Sequence, residues 1–146
     1  MSLERFRSLI GEIISTCGLL ESIVNGLINT LGRDPILAGK IVRLPSWSFR
    51  IDVFCQLLER AELPPDEVKS LCEHLKRVGR ERNDVAHNPI ADPDNPHILV
   101  LRDVSNMKEL HETDLEKQLE RTHAALTELK RFLPKIGVPV PKRNPQ

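Results

Sequence analysis

The 146-residue chain has no tyrosine, one tryptophan and four phenylalanines, so it has few rings from which to build a platform for stacking bases. Cysteine is scarce as well. Cys17, Cys55 and Cys72 are an odd, widely spaced set, each on an apolar helical position. They read as small core residues of a reducing compartment, without a disulfide or metal role. An excess of charge of one sign is missing: 21 basic residues meet 21 acidic ones, which argues against a protein that coats nucleic acid non-specifically. No apolar run approaches the ~20 residues of a membrane span. Met1-Ser2-Leu3-Glu4-Arg5 leads straight into an amphipathic pattern rather than a signal peptide, so the expected location is cytoplasmic. Walker, Gly-x-Gly-x-x-Gly and Gly-x-Ser-x-Gly loops are lacking, and His111-Glu112 lacks the second histidine of a zinc helix. Neither a metal nor a cofactor is expected.

What is present is helical periodicity. Phe6, Ile10, Ile13, Cys17, Leu20, Val24, Leu27 and Leu31 alternate spacings of four and three, which predicts a helix over about residues 2 to 31 with Gly32 as its stop. Beside that stripe runs a second one of small residues, Gly11, Ser15, Gly18, Ser22, Gly26 and Asn29. It suits close approach of another backbone, within the bundle or from a symmetry mate. Asp34-Pro35 opens a short helix that Pro45 closes. Ser46 or Ser48 caps a further helix with Trp47, Ile51, Phe54, Leu58 and Ala61 inward, which Phe49, Val53 and Leu57 widen into a mostly buried element. Trp47 reads as a core or interface anchor.

Leu63-Pro64-Pro65-Asp66 turns into a helix whose stripe is Val68, Leu71, Cys72, Leu75 and Val78. Residues 90 to 96 read as an exposed loop, and His97 to Arg102 as a strand needing a partner from the segment after His87 or from a second chain. Thr113-Asp-Leu-Glu116 reads as the capping box of a last helix with Leu115, Leu119, Thr122, Leu126, Leu129 and Leu133 inward. From Pro134 the chain reads as an extended tail. The organisation is thus one helical domain over 1–133 and a Pro-rich tail over 134–146.

The helix with the Val68 stripe carries the chemistry. Its next inward positions are Arg82, Val85 and Ala86, so a guanidinium stands where a core residue was due. An arginine there costs several kcal/mol unless a carboxylate, carbonyl or phosphate receives it. Glu21 on the flank of the first helix is the candidate carboxylate. Asn83 and His87 are four apart and share a face. Pro89 places His87 at or beside the helix end, where carbonyl dipoles favour the imidazolium. Lys76, Arg77 and Arg80, opposed locally by Glu81, would add a cationic surface for substrate.

Arg82-Asn83-Asp84-Val85-Ala86-His87 resembles the signature of the HEPN superfamily (higher eukaryotes and prokaryotes nucleotide-binding), with the same helix order over roughly residues 1 to 133. The resemblance implies an all-α, four- to five-helix up-and-down bundle with a short β-strand or hairpin between the motif helix and the last long helix. It also implies a metal-independent endoribonuclease acting as a homodimer, a toxin or defence component, with catalytic Arg82, Asn83 and His87. The dimer would meet through the motif helix and the small-residue face of the first helix, and RNA and an antitoxin or regulatory protein would be the partners. HEPN toxins controlled by modification of a tyrosine two residues after the histidine differ from this chain, which has Pro89 there. The alternatives are a non-catalytic interaction module, with the motif as a structural lock between Arg82 and Glu21, and a small-nucleotide binder.

Overall fold

The computed structural model describes residues 3–87, 89–91, 98–101 and 107–137, and the side chains of 3, 87, 89–91, 98–101 and 107–110 are outside that description. The chain is all-α in class, with helices α1 (Leu3–Leu31), α2 (Pro35–Val42), α3 (Trp47–Arg60), α4 (Pro65–His87) and α5 (Glu112–Lys135). Three short strands, β1 (Pro89–Ala91), β2 (Ile98–Leu101) and β3 (Met107–Leu110), lie between α4 and α5. They form an antiparallel sheet in that order, with Ile90 opposite Leu99 and Leu99 opposite Glu109. Within the chain β2 is therefore paired on both edges, which satisfies backbone groups that one strand cannot satisfy alone. The expected strand ends at His97 and Arg102, the loop over 92–96 and the tail over 138–146 lie outside the described residues.

Local chemistry sets most helix ends. The Asp34 carboxylate accepts from the N–H groups of Ile36 (3.0 Å) and Leu37 (3.2 Å), and the Ser46 hydroxyl accepts from Phe49 N–H at 3.2 Å, so both helices start on capped donors. The last helix starts earlier than its expected box. The Asp114 carboxylate accepts from the His111 N–H at 3.0 Å, which shifts the cap two residues upstream of Thr113. It also ends later: Pro134 and Lys135 are helical, and Ile136 N–H donates to Phe132 O at 3.2 Å. The extended stretch thus does not begin at Pro134, because buried Phe132 and Leu133 and the inward-packed Ile136 hold the last turn on the core.

The core joins Phe6, Leu9, Ile13, Leu20 and Val24 of α1 to Ile51, Phe54 and Leu58 of α3, Val68, Leu71, Leu75 and Val78 of α4, and Leu115, Leu126 and Leu129 of α5. Helix α4 touches α1, α3 and α5. Cross-links give the directions. On α4 and α5, Glu81 meets Arg121, His74 meets Glu128 and Glu67 meets Lys135, so the two run antiparallel. Helix α3 also opposes α4, since the Trp47 ring lies against Gly79, Asp52 pairs with Lys76 and Cys55 reaches Cys72. Arg5 pairs with Glu112 and Glu116, and the Cys17 thiol lies by Thr122, so α1 and α5 run the same way.

Four expectations are corrected. Cys55 on α3 and Cys72 on α4 form a disulfide, because the antiparallel contact brings their Cα atoms to 6.3 Å, within bridging reach; Cys17 alone is a free, buried core thiol. Helix α3 is only half covered, since Phe49 is 46% exposed. The small-residue face of α1 packs against none of the described residues: Gly11, Ser15, Gly18, Ser22, Gly26 and Asn29 are all exposed, and a Cβ at any of these glycines would meet nothing within 4 Å among them. Finally, α1 is long and apolar enough over Glu4–Leu31 to cross a membrane, although here its apolar stripe lines the core.

Candidate functional site

Near its C-terminal end α4 departs from apolar periodicity. Val78 and Val85 are buried at 2% exposure each, and Arg82 between them is half-buried. It lines a cleft of about 300 Å³ between α1, α3 and α4. Cys17, Leu20 and Glu21 of α1 form one wall, Trp47 and Arg50 of α3 a second, and Val78, Gly79, Arg82 and Asn83 of α4 a third, with Val42 to Pro45 across the mouth. The one hydrogen bond of the Arg82 side chain among the described residues is its own Nη1 donating to Asn83 Oδ1 at 3.1 Å. An arginine with spare N–H groups beside open volume is a ready receptor for an anion.

The carboxylate assigned to it goes elsewhere. Glu21 Oε1 forms an ion pair with Arg50 Nη2 at 2.7 Å, while Arg50 Nη1 donates to Asn25 Oδ1 at 3.1 Å. The physical reason is burial: Arg50 is 5% exposed and needs a counter-charge far more than half-exposed Arg82 does. Among the described residues Arg50 Nε has no acceptor, so this buried guanidinium still has a donor to give. Its charge also lies over the Trp47 ring, 5.5 Å from the centroid, a favourable cation–π placement. Trp47 is itself fixed, with Nε1–H donating to Leu75 O at 2.9 Å.

Of the residues expected at the site, the cleft unites Arg82, Asn83 and Glu21. His87 closes α4, and its side chain lies outside the described residues. Lys76, Arg77 and Arg80 do not border the cleft. Lys76 pairs with Asp52 of α3, and Arg77 donates to Glu81 Oε1 at 2.9 Å. Arg80 is exposed. Charge beside Arg82 comes instead from Arg43 and Arg50. A signal for Arg50 was present, since it falls one position before Ile51 on the inner face of α3, an arginine in an apolar stripe like Arg82. Arg43 carried none, because its place depends on how α2 folds back over the cleft.

The cleft's titratable thiol is not a nucleophile. Burial pushes Cys17 up to about 11, against an opposing pull from the positive charge of Arg82, so near neutral pH it stays protonated. Among the described residues no group of three His, Cys, Asp or Glu side chains could hold a metal ion. What the arrangement offers is anion binding: three guanidinium groups against the single Glu21 carboxylate, with apolar walls. No family model matches the chain, and neither a curated protein nor a solved structure matches it.

Proposed function

We propose that this chain is a HEPN-like helical domain, its short β-element lying between the motif helix and the last helix, that acts as a metal-independent endoribonuclease and works as a homodimer. The observation that carries this reading is the state of Arg82: half-buried at an open cleft, bonded only to Asn83 among the described residues, and not consumed by a carboxylate. A structural lock would have Glu21 on Arg82, and Glu21 is taken by Arg50.

In this reading Arg82 holds the scissile phosphate and the charge that develops on it, and Asn83 orients the guanidinium by accepting from it. His87 takes the proton from a ribose 2′-hydroxyl or returns one to the leaving oxygen, a contribution of about 10²- to 10⁴-fold. One imidazole does not serve as both base and acid in one step, which is the chemical reason for two motifs facing across a dimer. The unpacked small-residue face of α1, flanked by exposed Ile14 and Leu19, supports a helix-to-helix dimer contact. A toxin regulated by a protein antitoxin is the biological setting this chemistry fits.

The test is cleavage of a structured RNA by the purified protein in chelator, beside His87→Ala and Arg82→Ala. The expected result is cleavage by the parent and none by either variant, with both melting close to the parent. Melting of Arg82→Ala far below the parent, with no cleavage by the parent, would favour the non-catalytic interaction module.

A further inference from the structure

We propose that the cleft between α1, α3 and α4 binds a small phosphate monoester with an apolar or flat organic body, held by Arg43, Arg50 and Arg82. The inference does not need RNA cleavage, because Arg43 and Arg50 lie outside the motif. Three observations converge on it. First, three arginines and one glutamate line the cleft, an excess of two positive charges, and a phosphate monoester carries nearly that charge with the opposite sign near neutral pH. Second, Arg50 lines the cleft at 5% exposure and its Nε–H has no acceptor among the described residues; an arginine so buried, with a donor unspent, calls for an oxygen that those residues do not supply. Third, Arg43 and Arg82 have no carboxylate partner among the described residues, so their donors remain available for a bidentate contact with phosphate oxygens.

The remaining wall is apolar. Val42, Leu44, Pro45 and Trp47 line the same volume, and Leu44 stays 42% exposed. A volume of about 300 Å³ lies at the small end of ligand sites, too large for a bare phosphate and suited to one compact organic group beside it. Glu21 has a defined part: by pairing with Arg50 it orients the buried cation and lowers the cost of its burial, while leaving Nε free.

Trp47 is the chain's single tryptophan, so its emission reports on the cleft directly. The full chain is titrated with adenosine 5′-monophosphate, with inorganic phosphate and with adenosine, followed by that emission and by calorimetry. The expected result is saturable binding of the monophosphate, with inorganic phosphate and adenosine each weaker by roughly tenfold or more, as loss of one charge-assisted hydrogen bond or one apolar contact implies. Arg43→Gln, on an exposed segment, is expected to weaken the monophosphate roughly tenfold without moving the melting temperature. Arg50 variants risk unfolding, so Arg43 carries the test. Absence of saturable binding, equal affinity for phosphate and monophosphate, or an Arg43→Gln protein that binds like the parent would each overturn the proposal. Monophosphate binding by a protein that leaves RNA intact would uphold this inference and end the ribonuclease reading.

Discussion

Gly79 of α4 lies directly against the indole ring of Trp47 on α3: a Cβ built at position 79 would overlap Cδ1 and Nε1 and stand 3.0 Å from Cγ. Glycine inside a helix ordinarily costs about 1 kcal/mol relative to alanine, so Gly79→Ala would ordinarily stabilise. Here the ring is rigid and tied to Leu75 O, and it cannot step aside without losing that bond. The expected outcome is a net destabilisation of about 1–3 kcal/mol, the size of an overpacked core, measured by urea unfolding. A Gly79→Ala protein as stable as the parent would mean that the ring does not sit there.

The Glu21 to Arg50 pair gives a second prediction. Removing one partner of a fully buried pair costs about 3–5 kcal/mol; the Glu21 side chain is 40% exposed, so Glu21→Gln is expected to cost roughly 2 kcal/mol, lessened by solvent. A double-mutant cycle decides the partner. Glu21 should couple to Arg50 and show almost no coupling to Arg82. The reverse pattern would restore the lock.

The disulfide between Cys55 and Cys72 is separated by 17 residues, a loop whose closure is worth roughly 3 kcal/mol on chain-entropy grounds. Reductant, or Cys55→Ser with Cys72→Ser, is expected to lower the urea midpoint by that order. Thiol titration of the unreduced, denatured protein should find only Cys17. Three reactive thiols there would rule the bridge out.

Alkaline pH offers a fourth measurement. The Cys17 thiol is raised from an ordinary 9.0 to about 11 in the folded chain, chiefly by burial. Between those values the unfolded chain loses this proton first, so the native state holds more protons and stability falls as pH rises. Below the lower value the contribution is complete. The parent should therefore lose stability more steeply than Cys17→Ala across that alkaline window, and parallel slopes would show that the thiol is not buried.

Much of this architecture was legible from the chain because it rests on local chemistry. Asp34 before Pro35, Ser46 before the Trp47 stripe and the break after Leu31 are short-range signals, and the helix ends fall there. The departure at Arg82 was legible for the same reason, as one charged position in a periodic stripe. Partners were not. Glu21 could be assigned to Arg82 only by guessing which helix it faces, and the helix it meets is α3. The pairing of Cys55 with Cys72 likewise depends on the register between α3 and α4, which no single-helix pattern contains. Ile10 and Leu9 compete for one inward position on α1, and Leu9 is the one buried, at 1%, while Ile10 is only partly covered.

Glu81 receives Arg121 through both carboxylate oxygens, at 2.8 to 3.2 Å, and Arg77 as well. It directly precedes Arg82, about 100° away around the helix. That clamp ties the final turns of α4 to α5, and buried Val78 and Val85 seat the same turns on the core, so the azimuth of the next guanidinium is set jointly by the core and by a neighbouring helix. Loosening the clamp would redirect the guanidinium without altering a single atom of it.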